Sequence, residues 1–76
     1  MDRERKLRQL ARAEKHVLEG QNHLERQREL IAELEAAGHD ATQARSLLSI
    51  FERTQHAHQA HLRMLQRDLR DESPGS

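Results

Sequence analysis

The stretch Ala36-Ala37-Gly38-His39-Asp40-Ala41-Thr42-Gln43 constrains this chain more than any other, because nowhere else in the first 72 residues is a helix suited to stop and restart. Ala, Leu, Glu, Gln and Arg, all strong helix formers, dominate both sides of it, and the sole proline lies in the C-terminal tail. Gly38 lacks a Cβ and suits the left-handed residue that closes a helix. Asp40 suits the N-cap of the next helix, and Gln43, three residues later, completes a capping box. With Asp2 as the N-cap of the first helix, residues 1–70 form a single helical hairpin. Helix 1 spans about 2–37, a turn covers 38–40, and helix 2 spans about 41–70. The tail, residues 71–76, has a composition that cannot pack and reads as disordered.

Apolar residues in the first helix follow a heptad. Leu10, Val17, Leu24 and Ile31 recur every seventh position, and Ala13, Gly20, Gln27 and Leu34 three residues later form the other half of a narrow seam. The second helix carries a wider stripe. One row holds Ala44, Phe51, His58 and Leu65, the next holds Ala41, Leu48, Gln55, Leu62 and Leu69, and a third holds Ile50, Ala57 and Met64, with Leu47 beside them. Folding at the hinge pairs residues whose numbers sum to about 78, which sets Gly20 under His58, Val17 beside His61 and Leu62, and Gln27 near Phe51.

A single narrow seam cannot cover the whole stripe of helix 2. The expected fold class is therefore all-α: an antiparallel, coiled-coil-like two-helix hairpin that homodimerises into a four-helix bundle. Leu10, Val17, Leu24, Ile31, Leu34, Leu48, Phe51, Leu62, Leu65 and Leu69 are the expected association residues. Residues 1–15 carry a net charge of +3 and residues 19–40 a net charge of −4. An antiparallel dimer would set the basic open end of one hairpin beside the acidic hinge half of the other.

Composition removes several function classes. There is no cysteine, which excludes thiolate catalysis and thiolate metal sites, argues against a secreted disulfide scaffold, and points to the cytoplasm. No apolar run approaches the roughly 18 residues needed to cross a bilayer, and the N-terminus opens with charges of both signs, so neither a membrane partner nor a targeting segment is expected. Ser46 and Ser49 have no histidine–carboxylate pair in reach, no glycine-rich phosphate loop occurs, and Glu29, Glu33 and Glu35 read as solubilising charge. No enzymatic activity and no cofactor are expected.

Six histidines are many for 76 residues. His16 and His23 flank the first seam, and His58 and His61 fold back toward it, so these four are the candidates for a divalent metal site. Neither an HExxH motif nor paired Glu-x-x-His motifs accompany them. The preferred reading makes them half-buried seam residues, with a metal binder as the first functional alternative, and a third reading makes them a pH switch through mutual repulsion near pH 6. Arg5, Arg8, Arg12 and Lys15 line one side of helix 1, and Arg63, Arg67 and Arg70 lie at the same end. This raises a nucleic-acid accessory role as a second alternative. With acidic residues interspersed and no aromatic to stack on bases, a solvated or partner-facing charge set is the preferred reading.

The segment from about His16 to Leu69 resembles a group of short bacterial proteins of unknown function, chiefly alphaproteobacterial. The residues that carry the resemblance are Glu33-Leu34-Glu35, the Gly38-His39-Asp40 hinge with Ala41-Thr42-Gln43-Ala44, Phe51-Glu52-Arg53-Thr54-Gln55, and the His-x-x-His of His58 and His61. It implies a cytoplasmic bacterial helical hairpin. The expected function is a small interaction or regulatory module that self-associates, or docks a partner protein's helix.

Overall fold

The computed structural model describes residues 2–72. Two helices, α1 (Asp2–Ala36) and α2 (Thr42–Asp71), pack side by side in a rod of 59 × 16 × 14 Å. They run antiparallel, since Lys6 near the start of α1 pairs with Glu72 just beyond α2 while Gln27 bonds to Ala44. Two residues of the expected tail, Asp71 and Glu72, are among the described residues. Asp71 belongs to α2, and the Glu72 amide donates to the Asp68 carbonyl at 3.3 Å. Residues 73–76 lie outside the described residues.

The hinge closes α1 with a Schellman motif. Gly38 takes φ +75°, its amide donates to the Glu35 carbonyl at 3.1 Å, and the His39 amide donates to the Leu34 carbonyl at 2.8 Å. The start of α2 differs from expectation by one residue. Ala41, not Asp40, sits at the N-cap position, and no side chain caps it, so the Asp40–Gln43 capping box does not form. Asp40 instead accepts from the Thr42 amide at 3.0 Å and the Thr42 hydroxyl at 2.6 Å, an Asx-type turn. The cause lies in the packing: Ala41 is the first buried residue of the α2 seam, which leaves Asp40 one step outside the helix.

Every described residue of α1 that is not exposed falls on steps of three and four: Lys6, Leu10, Ala13, Val17, Gly20, Leu24, Gln27, Ile31 and Leu34. From the N-cap Ala41 through α2 the same steps give Ala41, Ala44, Leu48, Phe51, Gln55, His58, Leu62, Leu65 and Leu69, with Gln59 alone off the series. The hairpin is thus a short antiparallel coiled coil. Leu24, Ile31, Leu65 and Leu69 are buried, and each such side chain contributes roughly 1.5–3 kcal/mol.

Two glutamines cross the seam. Gln27 Nε2 donates to the Ala44 carbonyl at 2.9 Å, and Gln55 Nε2 donates to the Val17 carbonyl at 2.8 Å. These contacts shift the expected register. The side chain lying over Gly20 is Gln55, and His58, expected there, packs against His16 with ring centroids 5.4 Å apart. The physical reason is the glutamine itself. Its long amide reaches the Val17 carbonyl through the space over Gly20, the one glycine of α1, which a Cβ would fill.

Candidate association face

The two flanks of the coiled coil differ in chemistry. On one, Arg28 reaches Glu52 at 3.9 Å and Arg45 pairs with Glu35, so ion pairs bridge the helices. These are exposed pairs and contribute little to stability individually. The other flank holds His16, His23 and Leu30 from α1, and Leu47, Thr54 and His61 from α2. No ion pair between the helices is recorded there among the described residues.

Three open grooves run along this second flank. One, of about 510 Å³, lies near the hinge between His23, Leu30, Glu33 and Phe51. A narrower one, of about 130 Å³, lies at Gly20 between His16, His23, Thr54 and His58. The third, of about 410 Å³, lies toward the open end between Arg12, His16, His61, Met64 and Asp68.

The structure distributes the four candidate histidines along this flank. His16 meets His58, His23 tilts against Phe51 with centroids 6.0 Å apart, and His61 lines the open-end groove with His16. Among the described residues no group of three or more His, Asp or Glu side chains is arranged to hold a metal ion. His39, at the hinge, is exposed.

The ten expected association residues all lie in the intrachain seam. Leu24, Ile31, Leu65 and Leu69 are buried there, while Leu10, Val17, Leu34, Leu48, Phe51 and Leu62 are half-buried. The strongly exposed large apolar side chains are others: Leu7, Leu18, Leu30, Leu47, Ile50 and Met64, between 41% and 62% exposed. Leu47, Ile50 and Met64 belong to the wide α2 stripe read from the sequence. Leu30 shares the heptad row of His16 and His23, beside the α1 seam. Leu7 and Leu18 lie at heptad positions on the ion-paired side of α1.

Among titratable groups near the hinge, the Thr42 hydroxyl and amide hold the Asp40 carboxyl below its ordinary value. At the open end, the Glu72 carboxylate accepting from Lys6 raises the lysine. Among the described residues no helix is long and apolar enough to cross a membrane. No protein-family model matches the chain, and neither a curated protein nor a solved structure is significantly similar to it.

Proposed function

We propose that this protein is a small, non-enzymatic cytoplasmic interaction module whose working unit is a self-associated hairpin. One observation carries the reading: Leu47, Ile50 and Met64 stand 41–48% exposed along one side of α2, and Leu30 is 43% exposed on α1, instead of being absorbed by the seam. Exposed apolar side chains aligned on one side of a polar rod, with Thr54 and His61 between them, suit a surface that meets another protein.

The area of the elongated rod leaves room for an interface. The chain exposes 6116 Å², whereas a compact monomer of 8.9 kDa exposes about 4,800 Å². A standard interface takes about 800 Å² from each partner, which the rod can supply from one flank. The half-buried seam residues, Phe51 and Leu62 among them, would be covered further in a four-helix bundle.

Sedimentation velocity across a concentration series tests the proposal. A dimer or higher assembly that dissociates on dilution is expected. A monomer at every concentration up to the millimolar range would overturn it.

A further inference from the structure

We infer that the partner of this face is a second copy of the same chain, bound through α2 in the reversed direction, with residue i of one copy opposite residue 111 − i of the other. This rests on the self-association proposed above and specifies its surface and register. The α2 flank residues Leu47, Ile50, Thr54, Ala57, His61 and Met64 follow steps of 3, 4, 3, 4 and 3, a second seam beside the one that closes the hairpin. Reversal about a two-fold axis between Thr54 and Ala57 maps this series onto itself. Leu47 of one copy then meets Met64 of the other, Ile50 meets His61, and Thr54 meets Ala57.

The sizes fit that axis. Small residues at the centre let the two helices approach, and the bulky residues at either end fill the space where helices crossing at a shallow angle diverge. Covering Thr54 leaves no hydroxyl unsatisfied, because its Oγ1 already donates to the Ile50 carbonyl at 3.0 Å. His61 keeps a polar ring that can bond across the junction.

Charge favours the reversed direction modestly. On the same face Arg12 lies toward the open end with Asp68 of α2 in the same groove, and Glu29 and Glu33 lie toward the hinge with Arg26 beside them, so the hinge end keeps the net negative charge. Reversal sets Arg12 of one copy near Glu29 and Glu33 of the other, and places the +3 segment 1–15 along the −4 segment 19–40. Alignment with both hinges at one end would oppose like with like at the rim. A self-complementary patch of this kind closes by two-fold symmetry.

The chain has no cysteine, so single cysteines report contacts without background. An equimolar mixture of Leu47→Cys and Met64→Cys proteins, mildly oxidised, should give a disulfide-linked heterodimer, as should Thr54→Cys mixed with Ala57→Cys. Leu18→Cys, on the opposite flank, should not cross-link. Ile50→Glu should weaken association by about tenfold or more while leaving the helical circular dichroism of the hairpin intact. A wild-type dimer by sedimentation in which Leu18→Cys links and the α2 pairs do not would overturn this surface while leaving self-association standing. A dimer unaffected by Ile50→Glu would do the same. A wild-type monomer would overturn both, and would turn the face toward a foreign helix.

Discussion

Gln55 lies over Gly20 so closely that a Cβ on the glycine would come within 1.8 Å of its Oε1 and 2.8 Å of its Cδ. Gln55 is 4% exposed, and its Nε2 is anchored on the Val17 carbonyl. Two effects compete in Gly20→Ala. Alanine is favoured over glycine in a helix interior by about 0.8–1 kcal/mol. Displacing Gln55 forfeits a hydrogen bond of about 0.5–1.5 kcal/mol and adds the strain of repacking a buried side chain. Net destabilisation of about 1 kcal/mol is expected by urea denaturation, and Gln55→Ala in the same chain should convert Gly20→Ala into a gain. Additive effects of the two substitutions would show that the amide swings aside freely.

The two seam glutamines fix register more than they stabilise. Gln27 and Gln55 each reach a carbonyl of the opposite helix, yet Gln55 Oε1 is buried without a hydrogen-bond partner. A buried unsatisfied acceptor costs about 1–3 kcal/mol. Replacing both glutamines with leucine should therefore raise the melting temperature. It should also permit slipped pairings, as happens when a polar seam residue is removed from a coiled coil. Proton–nitrogen correlation spectra of the double variant should show more than one set of amide signals. A lower melting temperature with a single set would reverse the assignment.

These glutamines also mark how far the sequence could be read. Helix formers on both sides of Gly38, and the heptad through Leu10, Val17, Leu24 and Ile31, make the two-helix hairpin legible, because backbone propensity and apolar period agree. Register was not legible to better than a turn. The expected sum of about 78 counted a symmetric turn at residues 38–40, whereas Ala41 is drawn into the seam and Gln55 seeks the side chain with least bulk. The outward direction of Leu47, Ile50 and Met64 was implied by the width of the α2 stripe. The exposure of Leu30 and the pairing of His16 with His58 depend on which flank the helices close with ions, and period alone does not decide that.

Phe51 and Leu65 occupy the same heptad row but differ in burial, Leu65 being buried and Phe51 only half-covered beside His23. Full burial of a phenylalanine would make Phe51→Ala cost about 3–5 kcal/mol. The observed half-exposure lowers the expectation to about 1–3 kcal/mol in the dilute hairpin, against about 2–4 kcal/mol for Leu65→Ala. Because Phe51 lines two of the grooves, its cost should rise with protein concentration as association covers it, while that of Leu65 should not. Denaturation at two concentrations separates them. Equal concentration dependence at both sites would show that Phe51 stays uncovered.

The hinge carboxylate gives the fold a pH dependence whose sign follows from its partners. Asp40 accepts from the Thr42 hydroxyl and amide, which holds its folded value below the ordinary 3.8. A carboxylate depressed by folding contributes stability that is present above the unfolded value and lost as pH falls through the folded one. Asp40→Ala should thus melt below the wild type at pH 7, and the gap should close at acid pH as the wild-type carboxyl takes up its proton. Asp40→Asn retains a neutral acceptor for the Thr42 groups and removes the titration, so its melting temperature should vary less across that range. Thermal melts at about pH 7 and about pH 2.5 decide the matter. A gap between wild type and Asp40→Ala that persists unchanged at the lower pH would show that the turn is held by Gly38 and the seam alone.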